Sequence, residues 1–147
     1  MLTCFCYNAI LNGINNEIED NKVQTIGRID IEIYRCVSCN IDVDEVIITD
    51  ERIQHIKDRH PNDYEQYMQY MAEIIETPDY ILESSKPNTA FILKTIENEG
   101  EKFELIVRLH TCTDNPEYKN SVITFLRVES KRYQRYLRTK RILYKRE

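Results

Sequence analysis

Residues 23–37 alternate apolar and polar side chains, with Ile29, Ile31 and Ile33 set against Asp30, Glu32 and Tyr34, the two-residue period of a half-buried strand. Residues 46–49 predict another short strand. The period then changes. In the stretch ITDERIQHIKDRHP, residues 48–61, Ile53, Ile56 and His60 share one side of a 3.6-residue repeat, and Arg52, His55 and Arg59 share another. Thr49 or Asp50 can cap its start and Pro61 cannot continue it, which predicts a helix of about three turns. Asn62 with Glu65 three residues later has the form of a capping box. Tyr64, Tyr67, Met68, Met71, Ile74 and Ile75 then keep helical spacing as far as Pro78, predicting a second helix. Strands follow at Tyr80–Glu83, Thr89–Ile96 and 103–111. The last two are joined by a short Asn-Glu-Gly connection, so they form an antiparallel hairpin. Residues 121–128 predict another strand, 130–141 a helix with Tyr133, Tyr136 and Leu137 inward, and 142–144 a last short strand.

This order predicts an α+β domain over residues 44–147, in which two helices are followed by a four-stranded antiparallel sheet and a basic C-terminal helix. Residues 1–43 read as a small β-containing N-terminal extension, with an Asn-rich turn at 12–21. At 147 residues the chain fits one domain, and 41% hydrophobic content suffices for a packed core. No apolar run approaches the ~20 residues of a membrane span, and the start MLTCFCYNAI lacks the basic opening of a secretion signal, so a cytoplasmic protein is expected.

The net charge of −5 conceals a division. Residues 131–147 carry eight basic groups and one acid, a charge of +7, while the remaining residues carry 12 basic and 24 acidic groups, −12. A tail this basic either grips a phosphate backbone or packs across its own acidic body. Of five cysteines, Cys4, Cys6, Cys36 and Cys39 form two close pairs that suggest a structural four-thiolate zinc site, with plain buried thiols as the alternative. Cys112 stands apart.

His55, flanked by Arg52 and Arg59, offers an anion site with a proton donor or acceptor at its centre, although a merely solvated helix face has the same composition. On the later strands Arg108 and His110 share a face, and Thr124 and Arg127 lie on opposite faces of theirs. If the sheet packs on the histidine helix, His55, His60, Lys94, Arg108, His110, Thr124 and Arg127 would border one hollow. There is no Gly-rich phosphate loop, nucleophile elbow or dinucleotide fingerprint. Histidines, cations and a hydroxyl without paired carboxylates suit RNA cleavage. One group takes the 2′-OH proton, cations stabilise the phosphate, and an acid protonates the leaving oxygen.

The blocks VIITDERIQHIKDRHP, IIETPDYI, TAFILK, FELIVRL and KNSVITF, in this order over about residues 44–145, resemble the phage-associated nuclease-like domains grouped with barnase, EndoU, colicin-type RNases and RelE toxins. The resemblance implies two helices before a four-stranded antiparallel sheet, and a metal-independent RNase of phage or prophage origin acting in a bacterial host. By position it implies that His55, the Arg59-His60 pair, Lys94, Arg108, Ser121 and Thr124 belong to the site. We therefore expect His55, His60, Lys94, Arg108 and Thr124 to be catalytic, and Arg52, Arg59, His110, Ser121 and Arg127 to bind RNA. No cofactor is expected for catalysis. The competing classes are a non-cleaving module that binds RNA or a host protein, and a virion component; a cognate inhibitor is a further expected partner.

Overall fold

The structure, a computed structural model, describes residues 22–147. Seven strands form one sheet in the order β1-β2-β6-β5-β4-β3-β7. They are β1 (Val23–Arg28), β2 (Glu45–Thr49), β3 (Tyr80–Glu83), β4 (Thr89–Ile96), β5 (Glu101–Arg108), β6 (Asn120–Val128) and β7 (Ile142–Lys145). Neighbours are antiparallel except β2 and β6, which run parallel with Val46 opposite Asn120 and Ile47 opposite Ser121. A parallel pair needs a long crossover, here the helices α2 (Asp50–Arg59), α3 (Asp63–Tyr67) and α4 (Met71–Glu76) followed by the meander β3 to β6.

The two-residue period sorts side chains onto two faces. On the inner face Val46, Ile48, Ile92, Phe103, Leu105, Val122 and Phe125 pack against Ile53 and Ile56 of α2, Tyr64 and Tyr67 of α3, and Ile74 and Ile75 of α4. On the outer face Leu82, Phe91, Leu93, Leu126 and Val128 pack beneath Tyr133 and Tyr136 of α5 (Ser130–Thr139). There the buried carboxylate of Glu104 accepts a hydrogen bond from the Tyr136 hydroxyl at 2.9 Å, which fixes α5 over the middle of the sheet. The side chain of Ile123 is skipped in the register between β5 and β6, and this bulge returns Thr124 to the same face as Ser121.

Several sequence expectations change. The sheet has seven strands rather than four. The strand predicted over 23–37 stops at Arg28, because the Asp30 carboxylate accepts from the Glu32 N–H and starts a helical turn, α1 (Ile31–Tyr34). Residues 23–43 are joined to the rest: β1 is the edge strand on β2, and Ile29, Tyr34 and Ile41 lie in the inner core. The helix expected from 62 to 77 is broken by a 3₁₀ turn at Met68–Tyr70. Both Tyr67 and Tyr70 pack on Phe103, with ring centroids 5.1 and 5.8 Å away, and tighter winding sets residues three apart on one side. Asn62 does not cap with its side chain. It adopts left-handed φ of 76°, which Asn tolerates better than most residues.

Candidate active site

Helix α5 leaves one end of the outer face open, where β1, β2, the start of β6 and the end of β5 lie side by side. Alternation puts Val46 and Ile48 into the core and turns Glu45, Ile47 and Thr49 outward, beside Thr25 of β1, Ser121 of β6 and Arg108 of β5. The loop from Leu109 to Lys119 rises as a wall and completes a cleft of about 780 Å³, within the range of small-molecule and nucleotide sites.

That wall is tied down by buried polar groups. His110, 4% exposed, faces Asp42 from Nδ1 at 2.6 Å and the Asn115 carbonyl from Nε2 at 2.8 Å. A carbonyl only accepts, so Nε2 carries a proton. Both bonds are made together when the ring has an N–H on each nitrogen, or when Asp42 supplies the proton between the pair. The His110 N–H donates to Asn120 Oδ1 at 2.7 Å, and Asn120 Nδ2 donates to the carbonyls of Val43 and Glu45. Asp114 accepts from the Thr111 N–H at 2.9 Å and from Arg108 at 3.2 Å, and Arg108 also donates to the Leu109 carbonyl.

Two carboxylates in the cleft are held ionised. Glu45 lies below the usual carboxylate range because Lys119 donates to it at 2.7 Å and Thr25 at 2.6 Å, outweighing its partial burial. For Asp114, burial is the largest single influence and acts upward, but the Thr111 N–H and the Arg108 guanidinium together bring it below the usual range. The cleft thus contains a carboxylate able to take a proton, two cations, and hydroxyls at Thr25, Thr49 and Ser121. Beneath them is an apolar floor of Val23 and Ile47.

Of the residues expected to act together, the fold gathers Arg108, His110 and Ser121 in this cleft, with Thr124 further along the same face. The others lie on the opposite face or its margins. Helix α2 packs on the inner face through Ile53 and Ile56, so Arg52, His55, Arg59 and His60 are separated from the cleft by the sheet. The surface hollow at His55 is shared with Asp50, Glu51, Gln54 and Asp58, an acidic surrounding that disfavours phosphate. His60 is the C-cap of α2, its N–H bonded to the Ile56 carbonyl. Lys94 is buried under the end of α4, donating to the Thr77 carbonyl at 2.5 Å and lying 3.6 Å from Asp79. Arg127, opposite the inward Phe103, pairs with Glu101 and Glu129. The single hollow anticipated from the sequence is therefore two separate surfaces.

Glu45, Lys119, Tyr118, Thr25 and Thr49 were missed. Alternation with Val46 and Ile48 was the signal available for Glu45, whereas Lys119 and Tyr118 lie in a loop with no period to read. Among the described residues Cys36 and Cys39 are exposed free thiols. Cys4 and Cys6 lie outside the described residues. Among the described residues no three His, Cys, Asp or Glu side chains converge as a metal site.

The family model of the phage-Barnase-EndoU-ColicinE5/D-RelE like nuclease 2 family matches residues 21–145. The chain belongs to this family. The match begins at the edge of β1 and ends in β7, so this nuclease-like domain includes the strand and helical turn that the sequence suggested as an extension. No curated protein and no solved structure matches. A nuclease-like domain implies a nucleic acid as its substrate class, and no helix among the described residues is long and apolar enough to cross a membrane.

Proposed function

We propose that the protein is a metal-independent endoribonuclease that cleaves RNA by attack of a ribose 2′-OH on the adjoining phosphate, with the chemistry in the outer cleft. The observation that carries this reading is the meeting of Glu45, Arg108, Lys119 and Ser121 over one open end of the sheet in a nuclease-family domain. Glu45, held ionised, takes the 2′-OH proton. Arg108 and Lys119 stabilise the charge that gathers on the phosphate oxygens, and the 2′-OH is itself the nucleophile. His110 supports the wall through its buried bonds to Asp42 and the Asn115 carbonyl, and the departing 5′-oxygen takes its proton from solvent at the open cleft. A structural zinc on Cys4, Cys6, Cys36 and Cys39 would be separate from this chemistry, and elemental analysis of the purified protein checks it.

Incubation with RNA in excess chelator tests the proposal. Cleavage should persist, leave 2′,3′-cyclic phosphate ends, and fall at least about 100-fold in Arg108→Ala and Glu45→Gln, the scale of one general-base or oxyanion contact. His55→Ala should cleave like the parent protein. Full activity in both cleft variants, with activity lost in His55→Ala, overturns the assignment. A non-cleaving RNA-binding module is the second reading, favoured by one observation: Arg108 and Lys119 already have acidic partners in Asp114 and Glu45. Under that reading the parent protein binds RNA and releases no product.

A further inference from the structure

Tyr118 stands at the rim of the cleft, 47% exposed, on the turn in which its own N–H bonds the Asn115 carbonyl at 3.0 Å. That same carbonyl receives the His110 Nε2–H, so the turn that presents the ring is fixed to the buried wall. Most other tyrosines among the described residues are occupied. Tyr67 and Tyr70 pack on Phe103, Tyr80 packs on Tyr133, Tyr136 packs on Phe91, and Tyr64 carries Lys57 over its ring. Tyr118 has no ring or cation partner among the described residues. A large aromatic kept in water on a rigid turn is an available stacking surface, and next to it lie Lys119 and, across the cleft, Arg108.

We infer that Tyr118 is a base-binding residue: the cleft takes an unpaired nucleotide, its base stacked on Tyr118 and its phosphate between Arg108 and Lys119. The inference rests on the ribonuclease reading above and adds to it the side chain that receives a base. In an A-form duplex both faces of each base are covered by neighbours, and a side chain reaches a base face only where the base has left the stack. The apolar floor of Val23 and Ile47 suits the rest of such a base, and the hydroxyls of Thr25, Thr49 and Ser121 offer hydrogen bonds to its edge and sugar.

The test separates binding from cleavage. A short oligonucleotide with 2′-fluoro in place of each 2′-OH, which cannot supply the nucleophile, carries 2-aminopurine as a stacking reporter and is titrated as a single strand and as a blunt duplex. The single strand should bind more tightly and show quenched fluorescence. Tyr118→Ala should weaken it by about 10- to 100-fold, the scale of one base-aromatic stack, with unchanged melting temperature, while Tyr118→Phe retains the affinity. Equal affinity for the duplex overturns the inference, as does an unchanged Tyr118→Ala affinity alongside weakened Arg108→Ala. If Arg108→Ala also binds like the parent, the cleft is not the RNA site and both readings fall.

Discussion

Lys94 offers the sharpest division between a catalytic and a structural role. The family resemblance implies a catalytic strand lysine, yet Lys94 is 4% exposed on the inner face, its Nζ donating to the Thr77 carbonyl at 2.5 Å and to Thr77 Oγ1 at 3.1 Å. The nearby Asp79 does not depend on it, because the Thr95 N–H at 2.9 Å and Arg146 at 2.8 Å also hold that carboxylate. Removing the ammonium therefore strands the Thr77 carbonyl more than the acid. Lys94→Met keeps the apolar stem and leaves an unsatisfied carbonyl, costing roughly 1–3 kcal/mol. Lys94→Ala also removes three buried methylenes at about 0.8 kcal/mol each, giving roughly 3–5 kcal/mol in all. At about 2–4 °C per kcal/mol for a domain of this size, the melting temperature should fall by about 2–12 °C for Met and about 6–20 °C for Ala. Thermal melts paired with RNA cleavage per folded molecule, measured well below each melting point, give the decision. The expected result is reduced stability with undiminished cleavage. A Lys94→Met protein that melts like the parent but no longer cleaves refutes the structural assignment.

Three further outcomes follow from the same contacts. Asn120→Ala removes the acceptor for the His110 N–H and the donor for two carbonyls, so it should cost at least about 2 kcal/mol by chemical denaturation and speed hydrogen exchange at the His110 amide. Glu45 and Asp114 are held below their ordinary range in the fold, so their contribution is complete above an unfolded value of about 4 and is lost as pH falls through the folded values; melting temperature should decline in acid, and Glu45→Gln should flatten part of that decline. Lys131, Arg135 and Arg138 are exposed on α5, on the same side of the sheet as the cleft, and changing all three to Gln should reduce the slope of log affinity against log salt by up to about 2 for single-stranded RNA. An unchanged slope assigns that charge to the protein's own acidic surface.

The basic tail shows how local charge and tertiary placement divide. Composition left open whether it grips substrate or packs on the body. The contacts give part of it to the body: Arg132 bonds the Tyr136 hydroxyl and lies 3.9 Å from Glu104, and Arg146 pairs with Asp79. The strands were legible because alternation is a local signal: Tyr80–Glu83 and Thr89–Ile96 match the residues at which β3 and β4 occur. Strand order was not legible. The parallel contact between β2 and β6 joins residues more than seventy positions apart, and no spacing within either strand encodes it. The turn α1 was hidden for another reason. Ile31 and Ile33 satisfy a strand pattern, and only the Asp30 cap and the Tyr34 hydroxyl bonding the Ile75 carbonyl at 2.6 Å decide for a helix.

Parity decides how much of the candidate cleft was legible. On a strand the sequence fixes which residues share a face, so Arg108 was set apart from the inward Val107 and Leu109, and Thr124 was set on the face opposite Arg127, as in the register of β5 and β6. It does not say which face a helix covers. α2 leaves β2 directly after Thr49, whose Oγ1 accepts from the Arg52 N–H, and turns its Ile53 and Ile56 under Val46 and Ile48. A helix committed to the side of Val46 cannot bring His55 to the side of Glu45, because the sheet lies between them. The histidine-rich stretch drew attention through residue type, whereas the cleft arises from Glu45, a common residue made unusual by its neighbours. Its carboxylate holds Lys119 and Thr25 over the open strands, and its carbonyl receives Asn120, the same side chain that fixes the loop bearing Tyr118. The residue proposed as the base is thereby tied to the wall that would position its substrate, so a change at Asn120 should disturb the chemistry at Glu45 without altering any group that contacts RNA.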